Sequence, residues 1–246
     1  MRANKTIMGT HVTVEIRDPN PEHGCNLVFD YLTYIDETFS TYKDTSEISK
    51  INRGELHESE YSSDMAEIMR LAQMTNAQTQ GYFNINKPGG TIDPSGVVKG
   101  WAIWQASLIL QAAGFEYFFI DVGGDIQASK PDGKENWRVG IRNPFNGTEI
   151  VKVVELSNQG MATSGSYERG KHIYNPFEPT NELNDVVSIT VVGPNVYEAD
   201  RFATAAFAMG QAGIEFIEAQ PNLEGYQIDS QGMAIQTSNF EQYVTI

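Results

Sequence analysis

The 246-residue chain has one cysteine, Cys25. A single thiol closes no internal disulfide and builds no structural zinc cluster. No apolar run approaches the ~20 residues of a spanning helix, so no segment reads as transmembrane. The first residues, MRANKTIMGTHVTVEI, lack the apolar core of a signal peptide, although a leader already removed would leave no trace. Positive charge is scarce: 17 Lys and Arg stand against 32 Asp and Glu, a formal net charge of −15. That balance argues against duplex nucleic acid or an anionic membrane as the main partner. An anionic ligand would need local compensation from a metal ion, a helix N-terminus or one well-placed lysine. The expectation is a soluble, cytoplasmic protein. Several catalytic templates are also missing: there is no G-x-G-x-x-G, G-x-S-x-G or H-E-x-x-H, and no catalytic signature surrounds Cys25. GSYERGKH, 165–172, falls one residue short of a P-loop, because His172 stands where the magnesium-binding hydroxyl belongs.

What is present divides into two halves. Alternation predicts a strand over Val12–Ile16. Helical spacing follows in NLVFDYLTYIDETFSTY, in the short DTSEISKINRG, and in SSDMAEIMRLAQMTNAQTQG, which Ser63 or Asp64 can cap and Gly81 ends. A further helix is predicted from Val97 to about Ala113, with Ser95 as N-cap and Val97, Trp101, Leu108 and Ala112 facing inward. After Gly114 strands dominate: YFFIDVGGDIQAS reads as strand, Gly-Gly turn and strand, and NWRVGIRNP, IVKVVELSNQGMATSGSY, KHIYNP and VVSITVVGP favour strands too. Two helices, YEADRFATAAFAMG and AGIEFIEAQ, precede a terminal hairpin in LEGYQIDSQGMAIQTSNF. Helices first and antiparallel-looking strands later make an α+β pattern.

Three stretches offer chemistry. In EADRFATAAFAMG, Asp200 and Thr204 are four residues apart and share a helix face. A carboxylate and a hydroxyl suit Mg²⁺, but spacing alone favours a plainer reading, in which Asp200 complements the helix dipole and Thr204 fills space. In TIDPSGVVKG, Lys99 falls near a positive helix N-terminus, where a cation is disfavoured. Backbone N–H groups and Lys99 together would hold an anion there; alternatively Lys99 reaches solvent and pairs with Asp93. In FFIDVGGDI, Gly123 and Gly124 allow close approach of a ligand, yet taken alone a tight hairpin turn satisfies them fully and is the better reading.

Taken in order, MGTHVTVEI, STYKDTSEISKIN, GYFN, IDPSGVVKGWA, DVGGDI, ATSGSY, KHIYNP and EADRFATAAFAMG resemble the FAD:protein FMN transferase family, also known as thiamine-biosynthesis lipoproteins (ApbE). The resemblance runs from about Thr6 to beyond Gly210, with D-x-x-G-x-x-K-G and A-D-x-x-x-T its most specific elements. It implies one α+β domain over residues 1–246, with a mainly antiparallel sheet and packed helices of the T-fold-like type. It also implies a reaction, in which Mg²⁺ sits at the pyrophosphate of FAD, an acceptor-protein threonine attacks the phosphorus on the FMN side, and AMP leaves. The alternatives are FAD hydrolysis to FMN and AMP, and non-catalytic FAD binding. By position, Asp200 and Thr204 become magnesium ligands, with the Gly96 carbonyl as a third. Asp93 and Lys99 fall on the FAD. Met8, Tyr42, Tyr82, Phe83, Asn84 and Ile173 match positions lining the flavin or adenine, and Gly123, Gly124 and Asp125 shape the pocket. Asp200 and His172 are the catalytic candidates, His172 for proton transfer or for orienting the acceptor.

The chain departs from the pattern in several places. The stretch between GYFN and Asp93 is short, and Asn84 stands where Asp is usual. Ala203 replaces an Asp that many members use as a further metal ligand, and FEPTNELND replaces the usual Thr-Gly after HIYNP.

Overall fold

The computed structural model describes residues 1–165, 173–180, 183 and 185–244. Two strands open the chain, β1 (Arg2–Ile7) and β2 (Thr10–Ile16). Four helices follow: α1 (Pro21–Phe39), α2 (Glu47–Asn52), α3 (Ser63–Gln78) and α4 (Ser95–Ala112). Then come β3 (Phe118–Val122), β4 (Asp125–Ser129), β5 (Trp137–Asn143), β6 (Asn146–Leu156), β7 (Gly160–Gly165) and β8 (Val186–Gly193). The chain closes with α5 (Val196–Ala208), α6 (Gly213–Glu218), β9 (Glu224–Asp229) and β10 (Ala234–Gln236).

Among the described residues, eight strands form one antiparallel sheet in the order β1-β2-β3-β4-β7-β8-β9-β10, and β5 pairs with β6 in a separate ribbon. The period-two alternation of strands decides what each face meets. On β3, Phe118, Ile120 and Val122 join Val12, Val14 and Ile16 of β2 in a core filled from above by α1, α3 and α4. Ala162 of β7 and Val191 of β8 meet α5 and α6 on that same side. The opposite face offers Ile126, Ala128, Met161, Tyr226 and Ile228, and the ribbon covers it with Trp137, Val139, Ile141, Val154 and Leu156. The molecule is therefore layered as helices, sheet and ribbon. Cys25 is buried in the helical layer, its thiol donating to the Val14 carbonyl at 3.9 Å.

The strand-rich second half and the antiparallel pairing agree with the α+β expectation, and several details correct it. The sequence signals no strand before Val12, yet β1 pairs with β2 in register from Arg2↔Glu15 to Ile7↔Thr10. It is a mostly polar edge strand, which hydrophobic alternation cannot reveal. Ser95 is not the N-cap of α4: Pro94 occupies that place, and the Asp93 carboxylate accepts from the Ser95 N–H at 3.1 Å. Ser62, not Ser63 or Asp64, caps α3 through a bond from the Met65 N–H. Leu108 and Ala112 are exposed, whereas Val98, Ala102, Ile103 and Ala106 are buried. Helix α4 lies between α1 and α5, so its apolar surface wraps most of the way round and has no single inward stripe. Ile173–Asn175 of KHIYNP are irregular, not strand, and Lys171 and His172 lie outside the described residues.

The helix pair α4–α5 sets up the site. Gly96 and Gly100 are four apart on α4, and Asp200 and Thr204 are four apart on α5. A Cβ on Gly100 would lie 2.7 Å from the Asp200 Cβ and 2.9 Å from the Val196 carbonyl oxygen. One on Gly96 would lie 3.4 Å from Thr204 Cγ2. The two glycines let α5 press its Asp and Thr against the first turns of α4.

Candidate active site

A pocket of about 530 Å³ opens at the N-terminal end of α4. Its walls come from far apart in the chain. The β1–β2 turn supplies Met8, the segment after α1 supplies Tyr42 and Lys43, and the segment after α3 supplies Tyr82, Phe83 and Asn84. The turn into α4 supplies Asp93, Gly96 and Lys99, and Ile173 and Thr204 close the far side. Ten of the residues expected from the sequence therefore line one cavity.

Local chemistry explains several of these placements. Met8 and Gly9 form the two-residue turn of the β1–β2 hairpin, both with positive φ, 55° and 67°. Such turns favour Asn-Gly. A non-glycine residue in the left-handed region costs roughly 1–2 kcal/mol, and here it carries a thioether that lines the pocket. Phe83 is buried beneath the first turn of α4, while Tyr42 is almost fully exposed at the rim. Tyr82 packs edge-on against Phe177, centroids 5.0 Å apart. The short stretch before Asp93 is a tight loop: Asp93 N–H donates to the Ile85 carbonyl at 2.8 Å, and Lys87 N–H to that of Thr91 at 2.8 Å. Asn52 pins it through both backbone groups of Ile92, accepting at 2.7 Å and donating at 2.9 Å.

The charges near α4 do not make the Lys99–Asp93 pair that the second sequence alternative expects. Lys99 forms an ion pair with Asp125, at the start of β4, and not with Asp93. The Asp125 side chain is 1% exposed, and its other oxygen accepts from the Thr163 N–H at 3.1 Å. Asp93 instead pairs with Lys87. Burial alone would raise the Asp93 carboxyl, but the Lys87 ammonium and the Ser95 groups outweigh it and hold it below its ordinary range. A third lysine at the rim, Lys43, is 2.6 Å from Asp36 and 2.5 Å from Glu37. Lys87, Lys43 and Asn52 escaped the sequence reading, because their partners are fixed by tertiary packing that no local spacing encodes.

Asp200 lies just below the pocket, 4% exposed, and its Oδ2 accepts from the Gly100 N–H at 2.8 Å. By helical register that N–H is the donor to the Gly96 carbonyl. Thr204 Oγ1 shares a 3.5 Å contact with Ser164 Oγ. No group of three or more His, Cys, Asp and Glu suited to a metal occurs among the described residues. The oxygens of Asp200, Thr204 and Gly96 are hard donors, few enough to suit an ion that keeps waters and phosphate in its shell, as Mg²⁺ does. Ala203, wholly buried, contributes nothing to such a set.

Gly123 and Gly124 lie elsewhere. Their φ values of 61° and 93° make the β3–β4 turn, and they border a second cavity between sheet and ribbon. Asp125 touches the first pocket's chemistry only through Lys99.

A family model matches the chain in two pieces, residues 8–87 and 86–227, and its description is the ApbE family. The chain belongs to the ApbE family. The two pieces of the match meet at residues 86–87, inside the short loop pinned by Asn52. Among curated ApbE relatives, the FAD:protein FMN transferase of Escherichia coli K12 is 27% identical over 172 residues, 66% of this chain and 49% of that protein. The one from Rhodobacter capsulatus is 31% identical over 143 residues, 55% of this chain and 27% of that protein. The chain thus spans about half the length of the curated relatives it matches first. Solved ApbE structures share the fold throughout. The ApbE protein of Thermotoga maritima superposes with a TM-score of 0.87 at 20% identity, over 100% of this chain and 99% of that one. The flavin transferase ApbE of Vibrio cholerae gives 0.83 at 22% identity, over 99% and 98%.

Proposed function

We propose that this ApbE-family protein transfers FMN from FAD to a threonine of an acceptor protein, releasing AMP. The supporting observation is the convergence, on one cavity, of aromatic walls, the first turn of a helix with a lysine on it, and Thr204, with Asp200 buried just below. Tyr42, Tyr82 and Phe83, with Met8 and Ile173, give the two rings of the dinucleotide apolar and stacking surfaces. Lys99, on the first turn of α4, would meet the pyrophosphate, and Asp125 pairs with its ammonium. Asp200, Thr204 and the Gly96 carbonyl would hold Mg²⁺, which neutralises charge on the phosphate oxygens.

In the reaction the threonine Oγ–P bond forms, the bond to the AMP oxygen breaks, and the hydroxyl proton passes to a base. His172 is our candidate for that base. The protein's share is mainly placement and charge compensation, as phosphoryl transfer requires.

The test uses the purified protein with FAD and Mg²⁺, with and without a threonine-bearing acceptor domain from a flavinylated electron-transport subunit. An acceptor that gains the mass of one FMN, with matching AMP, is the expected result. Free FMN and AMP regardless of acceptor would make the protein a hydrolase, and bound FAD without products from any of several acceptor domains would make it a carrier.

A further inference from the structure

The second cavity, about 730 Å³, has a form that the first does not explain. Six successive residues of β5, Trp137 to Arg142, line it. Successive strand residues point to opposite faces. A cavity touching all six therefore runs along the backbone edge of β5 and not over one of its faces. That edge is open: among the described residues β5 pairs with β6 alone. Phe119, Ile126 and Met161 from the main sheet border the same space. Where Gly140 carries no side chain, the cavity also reaches Ile150 and Val153 of β6.

The groove is basic in an acidic protein. Four of the chain's eight arginines border it, Arg2, Arg17, Arg138 and Arg142, against Glu15, Asp121 and Glu135. Glu15 and Arg17 offset each other, and the lining keeps one net positive charge, four arginines against three carboxylates. Glu15 is paired with Arg17 at 3.0 Å, and Asp121 accepts from the Gly124 N–H at 2.8 Å. Arg17 lies over the Trp137 ring at 4.1 Å, which fixes its guanidinium at the wall.

The groove also ends beside the flavin site. Gly123, Gly124 and Thr163 border it. The Thr163 N–H bonds to Asp125, whose other oxygen holds Lys99 at the first pocket. A chain lying in the groove thus ends one residue away from the charge pair that faces the pyrophosphate.

We propose that the groove receives an extended, net-acidic segment of the acceptor protein, which adds as a strand to the free edge of β5 while the arginines meet its carboxylates. The proposal rests on the transferase reading and supplies what that reading lacks, a way to recognise a protein substrate. Main-chain bonds to an edge strand give affinity without demanding a particular sequence, and the charges give selection and rate. Arg2 and Arg138 are exposed and take no part in the flavin pocket, so they are the positions to alter.

The experiment compares wild type with Arg2→Glu/Arg138→Glu, using the acceptor domain named above as probe. Acceptor KM, kcat, FAD affinity and amide hydrogen exchange of β5 are measured. The expected result is an acceptor KM raised about tenfold or more, with FAD affinity unchanged and a weaker salt dependence. Acceptor should slow exchange at Val139–Ile141 in wild type. Replacing the acceptor segment's acidic residues by Lys should restore the double variant. Arg138→Gln alone, a milder change on an exposed strand face, should shift KM in the same direction. An unchanged KM with no slowing of β5 exchange overturns the groove. Slowed exchange in β5 without any FMN transfer would uphold the groove and overturn the transferase reading.

Discussion

Lys99 is the residue at which stability and the proposed FAD binding can be separated. Its partner Asp125 is buried, so Lys99→Met strands a carboxylate and should cost about 3–5 kcal/mol. Pairing it with Asp125→Asn should recover most of that loss in urea unfolding, while FAD affinity stays low in a titration. Recovery of both would mean that the lysine serves packing alone. Met8 should behave in the opposite sense. Met8→Gly relieves the left-handed backbone and should leave the protein as stable or up to about 1 kcal/mol more so, yet it removes a pocket wall and should weaken FAD binding. Equal affinity would release Met8 from any contact with the ligand. At Asp200, Asp200→Ala removes the carboxylate beside Thr204 and should abolish Mg²⁺-dependent turnover; near-normal rates at low Mg²⁺ would remove it from the metal site.

Elements were legible where local chemistry dictates them. The hairpin across Gly123-Gly124 and the helix ending at Gly210 follow from turn and cap residues alone. The amphipathic stripe of α1, with Val28, Leu32 and Ile35 buried, follows from spacing. Helix α4 was legible in extent but not in orientation, since apolar residues on most sides leave no phase to read. Strand β1 was silent, because an edge strand needs no apolar face. Most residues that line the pocket were legible through the order of the motifs; the ion pairs were not, since Lys99–Asp125 and Lys87–Asp93 depend on which strand end meets which helix. At this scale the close α4–α5 crossing can be tested. Gly100→Ala gains helix propensity of roughly 1 kcal/mol but drives a methyl into Asp200 and the Val196 carbonyl, overpacking that typically costs about 1–3 kcal/mol. The expected net effect is a lower Tm together with weaker Mg²⁺ activation, and an unchanged Mg²⁺ response would show that the crossing does not set the ligand geometry.

Over the whole molecule, the acidic balance makes pH a useful probe. Asp93 titrates below its ordinary value when folded, so it contributes stability above about pH 4 and loses it as pH falls through the folded value. Asp121 is the reverse: burial first, then the nearby Asp125, raises its carboxyl despite the Gly124 N–H. Its contribution is therefore present at low pH and is lost as pH rises through the folded value. Urea unfolding should show Asp93→Asn destabilised at pH 7 and converging on wild type in acid. Asp121→Asn, which keeps the acceptor for Gly124, should be the more stable protein at pH 7 and converge likewise. Parallel pH curves for variant and wild type would deny either role.

Cys25 has a practical consequence on this largest scale. Its thiol is enclosed, and burial raises it further from the reactive thiolate. Alkylating reagents should leave the native protein untouched and label it at the pace of global opening, so the chain carries its own unfolding clock. A cysteine introduced at an exposed site, on β5 or on the rim at Tyr42, would then be the one reactive sulfur in solution, and a single dye or spin label would report from that place alone.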